Sequence, residues 1–131
     1  MAALDTNIVV RLIIGDDASQ ARAAEKLVTS EPCTVAASVL MECEWVLRAG
    51  YRLDPKLIAA SMRDLLSLHN IDASDPVLTQ QALQGYEAGL DFADALHAAQ
   101  RLDGETFATF DKQFVQRAPK AGVLGVKLVK V

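Results

Sequence analysis

Four carboxylates stand at strand ends or helix starts. Asp5 closes a short apolar opening stretch, Asp111 follows the β-prone run 106–109, and Glu42 and Asp94 each fall in the first turn of a predicted helix. In an open parallel sheet, ligands bind beyond the carboxyl ends of the strands, so this pattern allows all four to face one cleft. Carboxylates gathered at one point repel each other; either their pKa values rise or a cation neutralises them. Oxygen-only donors select hard cations, which makes Mg²⁺ or Mn²⁺ the expected ion. Zinc is disfavoured, because His69 and His97 are the only histidines and neither has a histidine or cysteine at ligand spacing. His97 reads as a surface or packing residue. Each acid also has a structural reading, since acids cap helix N-termini.

Helical spacing separates the acids further. Glu44 has Arg48 one turn on, a pair suited to the surface. Glu42 has Trp45 and Val46 at those positions and no basic partner, which makes it the odder carboxylate and the better functional candidate. The apolar stripe of the Asp94 helix is Phe92, Ala95, Leu96 and Ala99, so periodicity alone points Asp94 toward solvent.

The elements that must position these residues alternate along the chain. Strands are expected at 2–5, 34–37, 70–73, 106–109 and 126–129. Helices are expected at 8–14, 18–29, 39–49, 54–68, 75–88, 91–102 and 111–117. Gly15, Gly50 and Gly89 read as helix stops, and Ser38 as the N-cap of the third helix. Asp54-Pro55 and Asp75-Pro76 are helix starts, with proline tolerated in the first turn. Strands alternating with helices predict a three-layer α/β fold with a mostly parallel central sheet flanked by helices. Leu57, Ile58, Met62, Leu65 and Leu66 form an apolar stripe that reads as core or as a partner-binding face.

The 131 residues suit one domain, 1–131, able to bury a core without staples. Hydrophobic residues are 51% and charged residues 23%, which excludes a disordered chain. Cys33 and Cys43 form no CxxC motif, which argues against a disulfide scaffold and fits a reducing cytosol. No apolar run reaches transmembrane length, no signal peptide is visible, and a cytoplasmic protein with no membrane partner is expected. Net charge is −4, yet residues 101–131 hold six basic and three acidic side chains. That end is either a solvated surface or a phosphate-contacting strip.

Four stretches together carry a family resemblance. They are Leu4-Asp5-Thr6-Asn7-Ile8-Val9-Val10-Arg11, Ala37-Ser38-Val39-Leu40-Met41-Glu42-Cys43-Glu44-Trp45-Val46-Leu47, Asp91-Phe92-Ala93-Asp94-Ala95-Leu96-His97, and Ala108-Thr109-Phe110-Asp111-Lys112-Gln113-Phe114. In order and spacing the chain resembles the PIN-domain ribonucleases, specifically the VapC-like toxins of type II toxin–antitoxin modules. The resemblance covers essentially the whole chain. It implies an acidic quartet of Asp5, Glu42, Asp94 and Asp111, with Asp5 as the central metal ligand. Thr6, Asn7, Ser38 and Thr109 fall on the family's polar support positions. Asp91 falls on a frequent acidic position and is equally readable as a helix cap. The implied activity is metal-dependent endoribonuclease cleavage, in which Mg²⁺ or Mn²⁺ activates a water for attack on a phosphodiester. The implied partners are RNA, with Lys112 the basic residue nearest Asp111, a cognate antitoxin protein, and a second copy in a homodimer.

Rival readings fit less well. A phosphatase of the haloacid dehalogenase type needs a second aspartate two residues after the first, where Asn7 stands. A phosphate-receiver domain wants an acidic pair after its first strand. A PIN fold that has lost cleavage and only binds RNA or protein remains the alternative from a different class; the presence of all four acids argues against it.

Overall fold

A computed structural model describes all 131 residues, and they fall into two compact units, Met1–Pro76 and Val77–Val131. The first unit runs β1 (Ala2–Ala3), α1 (Thr6–Ile14), α2 (Ala18–Ser30), β2 (Cys33–Val35), α3 (Ala37–Trp45), α4 (Pro55–Leu66) and β3 (Ile71–Ala73). Its sheet has the order β1-β2-β3 and is parallel throughout, with Ala2 opposite Cys33 and Cys33 opposite Ile71. The second unit holds α5 (Pro76–Glu87), α6 (Phe92–Ala99), β4 (Phe107–Thr109), α7 (Lys112–Arg117) and β5 (Val126–Leu128), with β4 and β5 paired in parallel. The fold class is therefore the α/β one expected, and every strand pairing is parallel. The strands form two separate ladders, one in each unit. No helix is long and apolar enough to cross a membrane.

Aspartates start most of the helices. Asp5, Asp17, Asp54, Asp91 and Asp111 each accept a hydrogen bond from a backbone N–H of the first turn that follows. Such a bond satisfies a donor that the helix itself leaves unpaired. Gly15 ends α1 in the left-handed region at φ 68°, donating its N–H to the Arg11 carbonyl.

The first unit buries Val9 and Val10 of α1, Val35 of β2, Leu40 of α3, and Ile58 and Met62 of α4. The stripe on α4 is core at Ile58, Met62 and Leu65, whereas Leu57 is exposed. In the second unit Tyr86 and Phe92 meet edge-on at 5.5 Å, and Leu90, Ala95, Ala98, Phe114 and Ala118 form a cluster.

Several boundaries differ from the sequence expectation, each for a local reason. Helix α3 begins at Ala37 with Ala36 as its cap residue, so Ser38 lies inside the first turn and caps nothing. Its α-helical part ends at Trp45 and passes into a wider π-helical turn over Val46–Gly50, so the helical run stops at Gly50 as expected. Helix α1 begins at Thr6, two residues early, because Asp5 caps it. Helix α6 ends at Ala99 rather than near residue 102. Glu44 is buried, not a surface residue; its carboxylate accepts from Arg48 Nε at 2.8 Å. The i,i+4 pairing was legible, but α3 sits deep enough to bury one partner of it.

Gly85 of α5 lies in close approach to α6. A Cβ there would lie 2.9 Å from Ala95 Cβ and 3.3 Å from Leu90 Cδ1. Alanine gains about 1 kcal/mol over glycine in a helix interior. Overpacking costs roughly 1–3 kcal/mol, and Ala95 Cβ is fixed to its backbone and cannot swing away. Gly85→Ala is therefore expected to lower the stability measured by urea unfolding, and adding Ala95→Gly is expected to recover part of the loss. A single variant as stable as the wild type would contradict this packing.

Candidate functional site

In the first unit the acid at the end of β1 caps α1. Asp5 Oδ1 accepts from Thr6 N at 2.8 Å, which holds the carboxylate at the helix start. Thr6 is buried, and its hydroxyl donates to Glu42 Oε1 across α1 and α3. Asp5 and Glu42 themselves are exposed. Both act on the buried Cys43, whose thiol is pushed up to about 12, first by burial and then by the charges of Glu42 and Asp5. That shared influence places the two carboxylates in one neighbourhood. Asn7 is exposed and lines a cavity of about 330 Å³ with Asp5, Arg11 and Gln20. Ser38 is exposed on the first turn of α3.

The second unit gathers three aspartates. Asp91, Asp94 and Asp111 line one small cleft of about 80 Å³, together with Gln113, Phe114 and Arg117. Asp91 Oδ1 accepts from Asp94 N at 3.1 Å, and Asp111 Oδ1 accepts from Phe114 N at 3.1 Å. Each of these caps engages one carboxylate oxygen. Thr109 Oγ1 accepts from Asp111 N at 3.0 Å and fixes the turn that presents Asp111. Asp94 is half-buried, where periodicity alone pointed it to solvent. Burial pushes its carboxyl above the usual range, Asp91 and Asp111 add to that rise, and His97 opposes it. His97 is exposed, as expected. Arg117, read from the sequence only as part of a basic end, lines this acidic cleft. Spacing gave no signal for this, because residues six apart on a helix do not share a face. Lys112 lines a different hollow, with Phe110 and Lys130.

A hard divalent cation fits these residues in kind. The donors are carboxylates, and the crowding of negative charge at Asp94 is what a cation relieves. No three histidine, cysteine, aspartate or glutamate side chains stand close enough together to hold a metal ion as they are placed. Mg²⁺ needs no such cage, since it keeps several waters and is bound through one or two carboxylates.

The family model of the PIN domain matches residues 2–120. The chain belongs to the PIN-domain family. The match spans both units and all four motif stretches. PIN domains are in general metal-dependent nucleases. A search of curated proteins and a search of solved structures returned no match.

Beside the acids of this PIN domain's first unit lies a polar network. Tyr51 Oη donates to Asp16 Oδ2 at 2.7 Å, and Arg11 Nη1 donates to Asp16 Oδ1 at 3.0 Å. Arg11 Nε also donates to Gln20 at 2.8 Å. The Tyr51 hydroxyl first, and the Arg11 charge after it, hold the Asp16 carboxyl below its ordinary range. A depressed carboxylate contributes stability above its unfolded pKa and loses it as pH falls through the folded value. The melting temperature of Asp16→Asn should therefore lie below that of the wild type at neutral pH, with the gap closing on acidification below the usual carboxylate range. A gap that stayed constant with pH would show that the carboxylate's charge is not what holds this corner.

Proposed function

We propose that the chain is an Mg²⁺- or Mn²⁺-dependent endoribonuclease and the toxin of a type II toxin–antitoxin pair. The observation that carries this reading is the half-buried Asp94, crowded by Asp91 and Asp111 in one cleft of a PIN domain. A perturbed carboxyl in a cleft with like-charged neighbours is a functional-site signature. In this reading Asp5, Glu42, Asp94 and Asp111 are the catalytic acids. Thr6 orients Glu42 through its hydroxyl, and Thr109 sets the Asp111 turn. Asn7, Ser38 and Asp91 give polar support, and Lys112 meets the RNA backbone. The bound cation would supply charge neutralisation and activation of water. The partners that go with this function are RNA, a cognate antitoxin protein and a second copy in a homodimer, in the cytoplasm. Residues 1–131 act as one domain, so thermal unfolding followed by two probes is expected to give one coincident transition.

The deciding experiment is cleavage of total RNA with Mg²⁺ or Mn²⁺, beside EDTA and the variants Asp5→Asn and Asp94→Asn. Cleavage lost with EDTA and with each variant supports the reading. Thr6→Val should cost about 10- to 100-fold, the usual effect of removing a partner that orients a ligand. Cleavage that survives Asp5→Asn overturns the assignment of the acids. A protein that binds RNA yet never cleaves it would be the catalytically silent binding module.

A further inference from the structure

Phe110 is 69% exposed, immediately before Asp111. An aromatic ring left in water forgoes the burial that makes it useful to a core. The other phenylalanines of the second unit have ring partners, Phe92 with Tyr86 and Phe107 with Phe114; Phe110 has none. It lines a hollow of about 640 Å³ with Lys112, Leu128, Val129, Lys130 and Val131. Neither lysine takes part in an ion pair. Positions 110–112 thus present Asp111 to the acidic cleft, and Phe110 and Lys112 to this hollow. Its charged side chains are both cationic, in a chain whose net charge is −4.

An exposed aromatic ring that shares a hollow with two unpaired ammonium groups matches the chemistry that binds unpaired nucleotides. Bases stack on the ring whatever their sequence, and the phosphates meet the cations. Double-stranded RNA keeps its bases stacked inside the helix and cannot use the ring. We propose that Phe110, Lys112 and Lys130 form a subsite for single-stranded RNA, in which one unpaired base stacks on Phe110 and the flanking phosphates pair with the lysines. The subsite rests on the reading of the chain as an RNA-cleaving PIN domain, and it selects substrates with an unpaired nucleotide beside the scissile bond.

The test is fluorescence anisotropy of a short labelled oligouridine titrated with the full chain in EDTA, which reads binding without cleavage. Phe110→Ala is expected to weaken binding about tenfold, within the range for loss of one stacked base. Phe110→Trp should retain affinity, and Phe110→Leu, apolar but not aromatic, should lose it like alanine. Lys112→Ala with Lys130→Ala should flatten the dependence of log affinity on log salt by about 1.4, at roughly 0.7 per phosphate contact on a single strand. In cleavage assays the Phe110→Ala loss should fall on KM more than on kcat. Wild-type affinity in Phe110→Ala or in Phe110→Leu overturns the subsite. So does a change in sedimentation with unchanged RNA binding, which would assign the hollow to a second copy of the chain. Because binding is read in EDTA, Asp5→Asn and Phe110→Ala fail independently. The first sinks the nuclease assignment, and the second sinks only the subsite.

Discussion

Parallel pairing is the constraint on which the rest depends. A parallel strand cannot be followed directly by its neighbour; the chain must cross over, and it does so through helices. β1 is followed by two helices before β2, and α7 separates β4 from β5. The carboxyl end of β1 and that of β4 each turn within two residues into a helix whose first backbone N–H groups need acceptors. Aspartate meets that need at both junctions, with Asp5 and Asp111. The residue that starts the helix is then also the residue left at the strand end, where ligands of α/β folds bind. On the proposed function, cap and catalytic acid are one side chain, and each cap bond engages only one of its two oxygens.

Backbone amides hold Asp5, Asp91 and Asp111, whereas Glu42 is held by a side chain. In the first unit, the buried Thr6 hydroxyl joins α1 to α3 through Glu42, and the Cys43 thiol below it donates to the Thr6 carbonyl at 3.7 Å. In the second, the holding groups are backbone amides, and the three aspartates share a cleft with Arg117. Asp94 is the most enclosed of the three, and its carboxyl is raised first by burial and then by the charges of Asp91 and Asp111. Charge held close to like charge is a cost to the fold that an incoming cation removes, and such sites are kept where the cation has work to do.

The segment 110–112 joins two surfaces of opposite character, an acidic cleft and an aromatic hollow edged with lysines. That separation suits a phosphodiester substrate. On the proposed reading, phosphates repelled by bare carboxylates would be drawn to the ammonium groups, and the lysines and the ring would set the register of the strand.

Much was legible in the sequence because it depends on local rules. The α/β alternation follows from short apolar runs between helical periodicities, and helix starts follow from aspartates with few acceptable substitutes. The motifs around Asp5, Glu42, Asp94 and Asp111 carried the family resemblance in full. Tertiary structure decided what periodicity and spacing cannot carry. Periodicity sent Asp94 to solvent, yet it is half-buried and shares a cleft with Asp111, 17 positions away. Glu44 looked like a surface partner of Arg48 and is buried, because what covers a helix face comes from elsewhere in the chain. Ser38 looked like a cap, but Ala36 takes that place, set by where β2 ends rather than by side-chain preference. Arg117 and Phe110 gave no signal in one dimension. A charge or a ring acquires a role only from what surrounds it, and that neighbourhood exists only once the chain has folded.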